Sequence, residues 1–232
     1  MSGAEGKLDL ERIVFIGRTY EEYLQMFNLN ESDLVGQRIL DCPAGACSFT
    51  AKGNQLHLDV SAADIAYYFA TDELADKGAQ DIAHAMNELE KVKDNFVWEH
   101  FKSIEELTLA RSEALHSNTT HRRQAPERYV PVILPDLPFS DREFDLTLSA
   151  HFLFMYSDRL DCDFHLRTIH ELMRVTSKEL RIFPLVDLSC KRFVHLEQLM
   201  DELASQGFMV EELEAPYEFQ KGAKQMLSIR RV

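Results

Sequence analysis

Two aspartates and the small-residue turn that follows the first are the groups in this 232-residue chain best suited to hold a polar ligand. Asp41 closes the short apolar run Ile39-Leu40 and leads into Cys42-Pro43-Ala44-Gly45-Ala46-Cys47. Asp59 follows 18 residues later, near the end of Gln55-Leu56-His57-Leu58-Asp59-Val60. An acid at the tip of a buried strand accepts hydrogen bonds from hydroxyl groups, those of a ribose included. Small residues let a ligand approach the backbone. A turn of this kind that opens a helix is also expected to leave backbone N–H groups free for a ligand. Many buried strands end in Asp and a Gly turn, so the turn alone says little; turn and second acid at this separation are more informative. His151, just past the apolar run Phe144 to Ala150, suits a general base or an orienting group. A structural histidine at a strand end reads equally well.

These groups need a scaffold of strands and helices. Thr19 and Glu22 form a capping box ahead of a helix carrying Tyr20, Tyr23, Leu24 and Phe27, a stripe of core type from which Arg18, Tyr20 and Tyr23 face the strand ends. Strands are expected at Ile39–Asp41, Gln55–Val60, Tyr129–Ile133, Phe144–Ala150 and Leu180–Leu185, with Pro131 marking an edge or a bulge. Two more, Phe208 to Leu213 and Gln225 to Val232, have too short a link for a crossover helix and should run antiparallel. Ser61 with Asp64 reads as a helix start. Residues 70–125 show helical stripes (Ile82, Ala85, Met86, Leu89, Val92) and a cap at Ser103 with Glu106, without strand signals. They are expected to form a helical insertion capping the ligand site within a single domain spanning 1–232. Trp98 should anchor it, and His121-Arg122-Arg123 reads as a solvated loop. His165, between Asp161 and Asp163 near a helix start, reads as a satisfied core histidine rather than a ligand.

Composition narrows the chemistry. The net charge of −14 disfavours nucleic acid and anionic membranes as partners. No apolar run reaches the length of a membrane span and no signal peptide is evident, so a cytoplasmic protein is expected, with a frayed leader at residues 1–12. Cys42 and Cys47 lack a matching second pair, and no metal site is expected.

Three segments together carry a resemblance to the class I S-adenosylmethionine-dependent methyltransferases: Ile39–Cys47, Leu58-Asp59-Val60-Ser61, and Leu137-Pro138-Phe139-Ser140-Asp141-Arg142-Glu143-Phe144-Asp145-Leu146. The last is similar to that family's "LPF-x-D-x-x-FD" run. The resemblance covers roughly residues 35–65 and 129–232. It implies an α/β, Rossmann-like seven-stranded sheet, mostly parallel with an antiparallel last strand, and a helical insertion between the second and third strands. It implies S-adenosylmethionine as cofactor, contacted by Asp41, Pro43, Ala44, Gly45, Asp59, Val60, Leu134, Asp136 and Ser149, with a small molecule or protein side chain as methyl acceptor. The alternative is a protein that binds S-adenosylmethionine or S-adenosylhomocysteine without catalysis. Pro43 and Cys47 stand where the family's turn has glycines. Ile133 stands where an acid usually meets adenine, which leaves Asp136 or the Leu134 backbone for that contact.

Overall fold

The computed structural model describes residues 14–231; the expected leader lies outside them. Seven strands form one sheet in the order β3-β2-β1-β4-β5-β7-β6. They are β1 (Arg38–Asp41), β2 (Asp59–Asp64), β3 (Tyr129–Pro131), β4 (Phe144–Ala150), β5 (Thr176–Phe183), β6 (Phe208–Glu214) and β7 (Gln225–Arg231). The pairs from β3 to β5 are parallel, and β7 runs antiparallel to both β5 and β6. The central strand β4 is buried along nearly its whole length, as a parallel strand covered on both faces should be. The edge strand β3 carries Pro131 where no further strand needs its missing N–H.

Helices cover both faces. The helices are α1 (Tyr20–Met26), α2 (Glu31–Leu34), α3 (Phe49–Gln55), α4 (Thr71–Lys91), α5 (Ile104–Gln124), α6 (Cys162–Val175) and α7 (Leu196–Ser205). Neighbouring strand residues point to opposite faces. Ile39 and Ala62 join the core beneath α1, α3, α4 and α5, whereas Leu40 and Ala63 join the core beneath α6 and α7. In α6, His165 is sealed between the rings of Phe154 and Phe193, with its two nitrogens at 2.6 and 3.0 Å from the Asp161 and Leu153 carbonyls. Among the described residues no helix is long and apolar enough to cross a membrane, and all four cysteines are free.

Two long helices, α4 and α5, fill the connection between β2 and β3. Ile82, Ala85, Met86 and Leu89 are the buried stripe of α4, and Ser103 caps α5 by accepting the Glu106 N–H at 3.2 Å. Trp98 lies between the two helices, edge-on to Phe219 at 5.4 Å. The basic cluster His121-Arg122-Arg123 is not a loop but the last turn of α5. Arg122 is buried, donates to the Tyr67 and Phe69 carbonyls at 2.9 and 2.8 Å, and lies over the Tyr67 ring.

The strand expected at Gln55–Val60 is displaced. Gln55 ends α3, His57 turns at φ +63°, and the strand runs from Asp59 to Asp64. Register makes the consequence plain: Arg38, the first residue of β1, pairs with Asp59, whereas Asp41, the last, pairs with Ala62.

Candidate functional site

The C-terminal ends of β1, β2 and β4 open on a cavity of about 860 Å³. Crevices at this edge are where open α/β sheets bind ligands. One end of the cavity is the turn after β1. Tyr23, from the aromatic stripe of α1, donates from its hydroxyl to Asp41 Oδ1 at 2.9 Å. Burial pushes the Asp41 carboxyl well above its usual range, with the Tyr23 hydrogen bond acting the other way. Beyond Asp41 the chain is pinned. The N–H of Ala44 donates to the Ala63 carbonyl (3.1 Å) and that of Ser48 to the Arg18 carbonyl (3.0 Å). The Gly45 N–H donates to Asp64 Oδ2 at 2.8 Å. The Gly45 carbonyl accepts from the Tyr67 hydroxyl (2.9 Å), and Asn118 of α5 donates to the Cys47 carbonyl (3.0 Å). Gly45 needs its missing side chain, since it sits at φ +54°. Gly17 does too, because a Cβ there would run into the Ala46 carbonyl and the Cys47 nitrogen. The segment around Gly17 therefore lies flat on the turn.

These bonds correct one expectation. The N–H groups of Ala44, Gly45, Cys47 and Ser48 are spent on protein acceptors rather than left for a ligand. The groove instead offers close approach over Pro43, Ala44 and Gly45, and the side chain of Asp64 beside them. Asp64 Oδ1 accepts the Ala66 N–H and Oδ2 the Gly45 N–H, both at 2.8 Å. A carboxylate has about four lone-pair directions, so capacity remains on both oxygens. Burial raises its pKa, opposed by these two N–H groups and by the charge of Arg122. Past the paired ends of β2 and β3, Ile65 and Ile133 line the groove while keeping 59% and 58% of their surface exposed, which gives it an apolar rim.

The other end of the cavity is an apolar chamber under the two inserted helices. Leu74, Met86 and Leu89 of α4 face Phe96, Leu188 and Phe219 across it. Its floor holds a buried ion pair. Arg111 of α5 donates to both oxygens of Glu22, at 2.5 and 2.8 Å, and the Tyr217 hydroxyl adds a third bond at 2.6 Å. Burial works to raise the Glu22 carboxyl, but the Arg111 guanidinium, Arg18 and the Thr19 N–H outweigh it and hold the group at about 2. Arg18 lines the cavity nearby. His151 stands at the junction of groove and chamber at φ +52°, its N–H bonded to the Phe183 carbonyl at 2.7 Å. Its Nδ1 is buried and meets no partner among the described residues. Burial, then the charges of Arg18 and Arg111, pushes its pKa well below the usual value, so the imidazole is neutral.

Of the residues singled out from the sequence, Pro43, Ala44, Gly45, Leu134 and His151 line this cavity together. The others do not. Asp59 opens β2 at the opposite edge of the sheet, exposed and paired with Arg128. Val60 is buried against Gly53 of α3. Asp136 is exposed in a turn outside the cavity, its N–H bonded to the Ile133 carbonyl. Asp41 and Ser149 lie one layer behind the lining, the Ser149 hydroxyl without a partner. The acid that the strand places beside the turn is Asp64, the residue the sequence suggested as part of a helix start. Glu22, Arg111 and Tyr217 carry no local signal, since their meeting depends on segments far apart in the chain.

No family model matches the sequence. The chain is 34% identical over 225 residues to the uncharacterized protein MJ0045 of Methanocaldococcus jannaschii, covering 97% of this chain and 99% of that one. Among solved structures it is similar to the mitomycin 7-O-methyltransferase MmcR, with a TM-score of 0.51 and 15% identity, over 92% of this chain and 54% of that one. A magnesium protoporphyrin IX methyltransferase from Synechocystis PCC 6803, solved with bound S-adenosylmethionine, gives a TM-score of 0.48 at 11% identity, over 92% of this chain and 80% of that one.

Proposed function

We propose, for a chain that belongs to one family with the archaeal protein MJ0045 and has the class I methyltransferase fold, that it transfers a methyl group from S-adenosylmethionine to a small molecule. The observation that carries this reading is Asp64. It stands at the end of β2 beside the Pro43–Gly45 turn and keeps unspent acceptor capacity toward the groove. Its carboxylate would hold the ribose hydroxyls, while the apolar rim of Ile65 and Ile133 and the Leu134 backbone would hold the adenine. The pinned turn admits a ligand closely because nothing larger than Pro43 or Ala44 projects from it there.

S-adenosylmethionine supplies an electrophilic methyl group on a sulfonium. The protein's part is to position the acceptor and exclude water. The chamber does this with apolar walls, and α4 and α5 close it as a cap. His151, neutral and lining the cavity, would orient the acceptor rather than take its proton, since burial and the two arginine charges disfavour its protonated form. Two features favour a small acceptor over nucleic acid: the net charge of −14, and a basic cluster of which His121 and Arg122 are buried and the exposed Arg123 pairs with Asp72. The spent amides of the turn favour the second reading, binding of S-adenosylmethionine or S-adenosylhomocysteine without turnover. Methyl transfer to any acceptor decides between the two.

Calorimetry with S-adenosylhomocysteine tests the site. A hydrogen bond to a charged group is worth about 1.5–3 kcal/mol, so Asp64→Ala should weaken binding about 10- to 100-fold. Asp59→Ala should leave it unchanged. Equal affinities for Asp64→Ala and the native protein would remove Asp64 from the site, and no binding by the native protein would end the reading altogether.

A further inference from the structure

Charge does not balance on the chamber floor. Arg18 and Arg111 both lie there and share one carboxylate, Glu22. That carboxylate is already saturated: two bonds from Arg111, one from the Tyr217 hydroxyl and one from the Thr19 N–H at 2.9 Å account for its lone pairs. Among the described residues no acceptor meets the Arg18 guanidinium, and its Nε is sealed from solvent without a partner. The backbone holds the side chain's root in place, since the Arg18 N–H donates to Cys47 Sγ at 3.2 Å and its carbonyl accepts from Ser48. An arginine fixed in an apolar cavity without a counter-ion is costly, and burial together with the Arg111 charge lowers its pKa. Such a group is suited to a ligand that brings an anion.

We infer that Arg18 is the anchor for a carboxylate on the methyl acceptor, and that the acceptor is an apolar acid whose body fills the chamber between α4 and the Phe96–Phe219 wall. The inference rests on the methyltransferase reading of the same site. Guanidinium is planar and matches a carboxylate with two parallel N–H donors. Arg18 lines the cavity together with Arg111 on α5, Tyr217 between β6 and β7, and His151 and Tyr156 after β4, while its backbone is tied to Cys47 of the turn. His151 lines the same cavity, and the arginine's charge disfavours its protonated form, so an acid anchored on Arg18 shares the cavity with a neutral imidazole. Beyond Arg18, the walls formed by Leu74, Met86, Leu89, Leu188 and Phe219 offer contact to alkyl or aromatic carbon.

The test compares acids with uncharged analogues of the same shape. Decanoate against decan-1-ol, and 2-naphthoate against 2-naphthamide, are titrated into the protein with and without saturating S-adenosylhomocysteine. At least one acid should bind tenfold or more tightly than its neutral partner. Arg18→Met should bring that pair to within twofold, Arg18→Lys should keep part of the preference, and S-adenosylhomocysteine affinity should change by less than twofold in both. Equal binding of acid and neutral partner in both pairs by the native protein overturns the inference. So does an Arg18→Met protein that binds S-adenosylhomocysteine more weakly but 5′-methylthioadenosine, which lacks the carboxylate, unchanged; Arg18 would then hold the cofactor. Should Arg18→Met fail to fold, the native pairs and Arg18→Lys decide. If the native protein binds no S-adenosylhomocysteine, the methyltransferase reading fails by itself, and the titrations without it still judge the anion site.

Discussion

Replacing Glu22 with Gln keeps the shape of the side chain and removes one charge from the most enclosed ion pair among the described residues. Glu22 and Arg111 expose 0% and 2% of their side chains, so nothing in the solvent can replace the lost carboxylate. Removing one partner of a buried pair costs about 3–5 kcal/mol, because the other charge is left stranded. A second line gives a similar size. The carboxyl is held at about 2 rather than its ordinary 4.5, and at about 1.4 kcal/mol per pH unit that amounts to about 3 kcal/mol. Against a total stability of about 5–15 kcal/mol this is a large share, and for a chain of this size it should lower the melting temperature by about 6–20 °C. Urea unfolding of the native protein, Glu22→Gln, Arg111→Met and the double variant checks it. The double variant should recover part of the loss, with a coupling of about 1–3 kcal/mol. The pH dependence has a definite sign. The folded pKa is depressed, so the stabilisation is complete above about 4.5 and fades as pH falls toward about 2. The gap between native protein and Glu22→Gln should close over that window. A single variant within 1 kcal/mol of the native protein at pH 7, or strictly additive effects, would refute the stranded-charge account.

Two other expectations test how the site is held together. Gly17→Ala would drive a methyl into the Ala46 carbonyl and the Cys47 nitrogen, backbone that cannot swing aside; it should cost about 1–3 kcal/mol in urea unfolding and weaken S-adenosylhomocysteine at least tenfold by calorimetry. Unchanged values would mean that the 14–18 segment is not seated on the turn. Hydrogen exchange over residues 71–124 should slow when S-adenosylhomocysteine and an acid bind, since α4 and α5 line the cavity; protection confined to the strand ends would make the two helices plain structure.

The scaffold was readable where local chemistry and periodicity agree. The capping box at Thr19, the cap at Ser103, the stripe of α4, the edge position of Pro131 and the antiparallel β6–β7 pair all follow from short-range rules. Misreading came where those rules compete. Leu56-His57-Leu58 has the hydrophobicity of a strand but is the turn that leaves α3, while Val60-Ser61-Ala62-Ala63 has weak strand propensity yet forms the buried heart of β2. A buried parallel strand needs no alternation and tolerates small residues where its neighbours crowd it, here Val60 beneath Gly53. The strand therefore places Asp64, not Asp59, beside the turn after β1. Ser61 and Asp64 looked like a helix start for a related reason: Asp64 does cap a turn, the one at Ile65–Tyr68, and the same side chain holds the Gly45 N–H. Glu22 repeats the pattern, closing its capping box through the Thr19 N–H and pairing with Arg111 as well. In both cases the local role is legible and the distant one is not, because the distant partner is chosen by the packing of α5 and β2 against the turn. On the chamber floor Glu22 thus serves its capping box and Arg111 together, and Arg18 is the group whose guanidinium meets no acceptor among the described residues.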